Sequence, residues 1–281
     1  MQDKNSRFWR GFAKLISLNV VLTLMAVLLV LPFTWMVLAS LKVLDEIGYD
    51  SWLPEVCQWH NYRDVFTMKG IFFGRWYWNT VFVSSWITFL QVFTSSLAAF
   101  SFSRLRWKGR DQVFFLYLAT MMLPGLVMMI PNYQNMILLG LVDSYAGLII
   151  PSSFSAFGTF LMRQFMMNIP KSLDEAAEID GATKWQLYWD VVLPLARPAL
   201  VTLTIFTFIG SYNNLFWPLV MMKTPDKYTL PIGMLSFQSS QGQQTNLLMA
   251  AVAMSVVPMI IIFVLMQKQL VKGIMLGGVK G

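Results

Sequence analysis

The sequence predicts an all-α protein that crosses a lipid bilayer six times, with both termini on the cytoplasmic side. Three observations carry that expectation. Hydrophobic residues make up 56% of the 281 positions and charged residues only 12%, where a soluble domain averages about 25% charged. Ionisable residues are spaced so that long uncharged intervals remain at 15–41, 76–103, 112–142, 144–162, 198–222 and 228–267. Finally, the segments before 15, at 104–110, at 163–197 and after 267 hold 15 of the 21 Lys and Arg.

A bilayer core about 30 Å thick needs about 20 helical residues, so each interval can hold one span. The expected spans are 15–41, 77–103, 112–136, 144–162, 198–222 and 247–267, forming one permeation-type membrane domain over residues 1–281. The last interval is trimmed because it opens with Pro231, Gly233 and the polar run SSQGQQTN. Pro124, Pro131, Pro151 and Pro258 interrupt the spans, and neighbouring helices must satisfy the carbonyls they free. The basic N-terminus followed by an apolar run has the outline of a secretory signal. That run is far longer than a signal core and is expected to stay as the first helix. One cysteine, Cys57, allows no internal disulfide.

Lys and Arg are retained on the cytoplasmic side of a membrane, which sets the orientation and accounts for the net charge of +7. These cations sit at helix ends, where they meet lipid headgroups. They form no stripe interleaved with aromatics, so no nucleic-acid partner is expected.

The one long cytoplasmic loop, 163–197, reads as helix, sharp turn, helix. Ser172 followed by Glu175 has the spacing of a capping box, opening a short helix over about 173–179 behind Pro170. Ala176 and Ala177 leave it a low-profile face. Gly181 supplies the dihedral freedom for the turn. Thr183 with Gln186 repeats the box for a second helix to about 192, and Pro194 and Pro198 lead into the fifth span.

The string EAAEIDGATKWQLYWDVVLPLARP resembles the EAA loop of bacterial ABC-importer permeases, matched here by Glu175, Ala176, Ala177, Asp180, Gly181, Ala182, Tyr188, Leu193, Pro194 and Pro198. The tail QKQLVKGIMLGGVKG and the stretch TLPIGM are similar to MalG-type permeases of carbohydrate importers. The resemblance implies a type I ABC-importer permease fold in a bacterial inner membrane. It also implies these partners: a second homologous permease, two ATP-binding cassette ATPase subunits and an extracytoplasmic sugar-binding protein. In that family the Glu-Ala-Ala helix sits in a cleft of the ATPase. The ATPase-coupling residues carried over are Glu175, Ala176, Ala177, Asp180, Gly181, Ala182, Leu193 and Pro194, with Gln241 and Gly242 as contacts for the binding protein.

No Walker A pattern, dinucleotide glycine loop or HExxH is present, and the lone histidine, His60, has no companions for a triad or ligand set. The chain is therefore expected to be no enzyme and to bind no metal or cofactor, leaving ATP and Mg to the ATPase partners. The proposed spans contain no Asp, Glu, Lys or Arg, whereas ion-driven carriers place such groups at mid-membrane. Uncharged hydrogen-bonders suit a polyol. Tyr212, Asn213, Asn214, Trp217, Gln91 and Gln134 are the candidates for lining a substrate pathway, because adjacent amides in a span are costly unless they meet water or partners. Interhelical hydrogen bonding is the competing role for them. The alternatives are a permease for another neutral solute such as a glycerol conjugate and, from a different class, a passive channel or membrane scaffold.

Overall fold

The computed structural model describes residues 2–48, 51–238 and 244–278, with side chains placed for 18–48, 51–238 and 244–267. Every regular element among them is helical: α1 Gln2–Ser40, α2 Asn61–Thr67, α3 Phe73–Arg104, α4 Arg110–Ala119, α5 Gly125–Leu138, α6 Tyr145–Ile149 and α7 Ala156–Met167. Then come α8 Lys171–Ile179, α9 Lys184–Leu195, α10 Arg197–Tyr212, α11 Phe216–Met221, α12 Leu230–Leu235 and α13 Thr245–Gly278. Helices suit a lipid solvent because each bonds its own backbone groups.

Parts of α1, α3 and α13 are long and apolar enough to cross a membrane, and the described residues offer up to 6 crossings if each bent helix pair is one span. Three expected spans are not straight rods. The one at 112–136 bends by 100° between Arg110–Met122 and Gly125–Leu138. Leu123, ahead of Pro124, is pushed out of the helical region to ψ 122°, as the proline ring requires of the residue before it. The span at 144–162 bends by 41° between Tyr145–Ser153 and Ala156–Met167, with Phe154 and Ser155 extended at the break. The third bent pair joins Lys184–Leu195 to Arg197–Tyr212 at 76°, and the expected span at 198–222 stops at Tyr212 and resumes at Phe216. Pro131 and Pro258, by contrast, sit inside continuous helices.

The described residues fall into two compact units, one within Met1–Ile71 and Ser236–Ser255, the other within Phe72–Leu235 and Val256–Gly281. In the first, Asn61 is buried and its amide donates to the Ser40 and Lys42 carbonyls at 2.8 and 2.9 Å, capping the end of α1. Residues 18–35 of α1 are exposed throughout, as a lipid-facing helix requires, and burial begins only at Ala39 and Ser40.

In the second unit α3 is the central post, packed against α7 and α10. Gly158 makes this approach possible, since a Cβ there would lie 2.6 Å from Ser95 Oγ and 3.2 Å from Leu203 Cδ1. One hydrophobic cluster joins Ala99 and Phe100 of α3 to Met162 and Met166 of α7 and to Leu187, Tyr188 and Val192 of α9. Another gathers Val83, Ile87, Met136, Leu148, Met221 and Ile232.

Candidate functional site

The 163–197 loop forms the expected helix, turn and helix, with one change. α8 begins at Lys171 and Pro170 is its N-cap, so Ser172 lies inside the first turn and the expected Ser172–Glu175 box does not form. The extended conformation of Pro170 starts the helix before Ser172 can cap it. Ser172, Glu175, Ala176 and Ile179 are all exposed, and their spacing puts them on one face. Ile179, 86% exposed, is the large apolar residue of that face. Ala177, on the other side, packs on the cluster beneath.

Gly181 ends α8 at φ +84°. Its amide donates to the Glu178 carbonyl at 3.1 Å, and the Ala182 amide to the Ala177 carbonyl at 2.9 Å, the paired bonds of a Schellman turn. Nothing lies within 4 Å of where a Cβ on Gly181 would sit, so only the dihedral selects glycine there. The Thr183–Gln186 capping box forms in full. Asp180 stays exposed at the turn and Ala182 is half-buried.

α9 is anchored where α8 is presented. Tyr188, 1% exposed, has its hydroxyl 2.8 Å from that of Ser96 on α3 and its ring 5.2 Å from Phe100. Leu193 packs against the same cluster, and Pro194 lies within the last turn of α9, which runs on to Leu195. Tyr188 was legible as the motif's aromatic, but its role as an anchor depends on Ser96, far away in sequence.

Arg104, at the end of α3, ties this loop down further. Its Nη1 donates to Asp174 Oδ2 at 2.8 Å, and its Nη2 donates to the Met166 and Ile169 carbonyls at 2.6 and 3.0 Å. A guanidinium at the carbonyl end of α7 also complements that helix's dipole. Two atoms of the pair, Arg104 Nε and Asp174 Oδ1, are buried with no hydrogen-bond partner among the described residues.

Of the expected pathway residues, Gln91 and Asn214 line a cavity of about 520 Å3, together with Thr207, Ser211, Phe154 and Phe206. Gln91 Nε2 donates to Thr207 Oγ1 at 3.1 Å. A second cavity of about 460 Å3 shares Asn214 and adds Asn132, Phe216 and Trp217. Among the described residues, no Asp, Glu, Lys or Arg lines either. Asn213 and Asn214 sit at the unwound break between α10 and α11 instead of inside a helix. There Asn214 Oδ1 accepts from the Trp217 amide at 3.4 Å, and Trp217 Nε1 donates to the Gly147 carbonyl at 3.2 Å. Asn213 is exposed, with Nδ2 3.5 Å from Met259 Sδ. Tyr212 is only 2% exposed, stacked on Phe208, and Gln134 is exposed away from both cavities.

The Arg75 end of α3 holds the segment after α11. Asp143, at φ 58°, accepts from the Lys223 and Thr224 amides at 2.9 and 3.1 Å, from Thr224 Oγ1 at 2.5 Å and from Lys227 Nζ at 3.0 Å. Burial works against the Asp143 charge, but these donors outweigh it and hold the carboxyl below the ordinary range. From α3, Asn79 Nδ2 donates to the Asp226 and Tyr228 carbonyls, each at 3.0 Å, and Trp76 Nε1 donates to the Pro225 carbonyl at 2.6 Å. Gln241 and Gly242, the expected binding-protein contacts, lie outside the described residues.

A bundle of apolar and broken helices, an uncharged cavity and a protruding helix-turn-helix define a membrane transport component. Residues 91–275 match the family described as binding-protein-dependent transport system inner membrane component, and the chain belongs to it. The resemblance read from the EAA loop is thereby borne out.

The chain is similar to the arabinooligosaccharides transport system permease protein AraQ of Halalkalibacterium halodurans, 32% identical over 94% of this chain and 96% of that one. It is also similar to the sn-glycerol-3-phosphate transport system permease protein UgpE of Yersinia enterocolitica, 37% identical over 72% of this chain and 73% of that one. Among solved structures, a chain of a bacterial ABC transporter involved in the import of the acidic polysaccharide alginate superposes with a TM-score of 0.79. Its identity is 28%, over 90% of this chain and 95% of that one.

Proposed function

We propose that this chain is a permease subunit of an ATP-driven, binding-protein-dependent importer of mono-, di- or oligosaccharides. In this reading its six crossings form one permease domain with both termini in the cytoplasm. A second homologous permease completes the pathway, two ATPase subunits consume ATP and Mg, and an extracytoplasmic binding protein delivers the sugar. The observation that carries the proposal is the 170–195 loop. It presents Glu175, Ala176 and Ile179 outward on a short helix, while Tyr188 roots the following helix in the bundle. A surface that offers the exposed Ile179 beside the small Ala176 suits burial in a partner's cleft.

A sugar is favoured by the uncharged cavity, where Gln91, Thr207, Ser211 and Asn214 offer donors and acceptors beside Phe154 and Phe206. The similarity to a glycerol-3-phosphate permease favours a second reading, a glycerol conjugate. A phosphorylated solute would call for cationic side chains, and none of the described residues lining either cavity is cationic.

The test is to purify the assembled complex and screen sugars, with the binding protein, for stimulation of its ATPase. Stimulation by a saccharide and not by glycerol-3-phosphate is the expected result, and the reverse would replace the substrate class. Glu175→Lys should weaken co-purification of the ATPase. Unchanged co-purification would remove Glu175 from the contact.

A further inference from the structure

We propose that Arg104 is the positioning residue through which displacement of the docking helix α8 reaches α3, the helix that carries the cavity residue Gln91. The proposal rests on the docking reading above. The Arg104 side chain is 2% exposed and that of Asp174 14%, so this ion pair works in a low-dielectric setting where charges couple strongly. One guanidinium joins the last turn of α3, the carbonyl end of α7 and the first turn of α8. A force on the exposed face of α8 therefore has a direct polar route to the end of α3 through this side chain. Gln91 lies about 20 Å further along that same helix.

The loop is attached to α3 at a second point, and the two attachments differ. Tyr188 of α9 is completely buried, with its hydroxyl at hydrogen-bonding distance from Ser96. Among the described residues the Arg104–Asp174 pair keeps a buried, unused bonding atom on each side, which native structures rarely tolerate without a reason. It also borders a cleft of about 620 Å3 lined by Lys171, Glu175, Glu178 and Arg110. Tyr188 is thus a fulcrum. Arg104–Asp174 is a joint with spare bonding capacity and room beside it, able to rearrange as α8 shifts.

The test uses the complete transporter in proteoliposomes, reading sugar transported per ATP hydrolysed. Asp174→Asn is close in shape and leaves Arg104 on the α7 carbonyls. The expected result is that the ATPase still co-purifies and hydrolyses ATP while transport per ATP falls at least tenfold. Arg104→Lys keeps the charge but cannot hold all three partners, and is expected to fall between, about threefold down. An unchanged ratio in Asp174→Asn, or loss of assembly in both variants, would overturn the proposal. If the ATPase never co-purifies with the unmodified permease, the docking reading itself fails.

Discussion

The two ends of α3, separated by about 45 Å of helix, hold their neighbours in opposite ways. At the Arg75 end, Asp143 collects donors on both carboxylate oxygens, and Asn79 and Trp76 grip the same 223–228 segment from the other side. At the Arg104 end the ion pair leaves an oxygen and a nitrogen without partners among the described residues, and the loop it holds turns on a glycine. The difference teaches which end is built to stay fixed and which to move. A fully satisfied charged network is rigid, whereas residual bonding capacity marks a joint that has another arrangement.

The sharpest way to break this comparison is to remove one partner of the buried pair. Arg104→Ala strands the Asp174 carboxylate and should cost about 3–5 kcal/mol, read as a lowered thermal midpoint of the purified complex and early proteolysis within 163–197. At the fixed end, Asp143→Asn replaces charged hydrogen bonds by neutral ones and should cost about 2 kcal/mol. Transport per ATP should not change in that variant, because the clamp lies outside the proposed lever.

The pH dependence of the clamp has a definite sign. Asp143 is held below the ordinary carboxylate value of about 4, so its contribution is complete above that value and is lost only as pH falls further towards the folded pKa. The difference in thermal midpoint between the unmodified and Asp143→Asn complexes should therefore stay constant from pH 7 to about 4.5 and narrow below about 4.

A smaller effect separates dihedral from space at the turn. Gly181→Val places a side chain where nothing obstructs it, but its positive φ costs a non-glycine residue about 1–2 kcal/mol, more for a branched one. Membrane insertion should survive while transport falls about tenfold, and Gly181→Asn, tolerant of that region, should keep most of it. The smallest expected effect is at Ser172. Its side chain caps nothing, so Ser172→Ala should change the thermal midpoint of the complex by no more than about 0.5 kcal/mol equivalent.

These contrasts also mark what the sequence could carry. The Gly181 turn and the Thr183–Gln186 box were legible because each depends on residues within a few positions. The Ser172–Glu175 box was misread because a helix starting at Lys171 satisfies the same local grammar, and Pro170 decides between the two. Apolar runs register length and not continuity, so Pro124 was legible as an interruption but not as a 100° bend, and the break between Tyr212 and Phe216 looked like part of a whole span. Asn213 and Asn214 were singled out as costly inside a span, and the break between α10 and α11 is what makes their amides tolerable. Arg104 and Asp143 were invisible as joints, since their partners lie 62 or more residues away in sequence.

The most direct measurement places a photo-crosslinker at Ala176→Cys, in a Cys57→Ser background, on the outward face of α8 in the transporting complex. The account predicts a covalent adduct with a nucleotide-hydrolysing subunit and loss of transport on irradiation. A fully active transporter in which that position never joins an ATPase would contradict it.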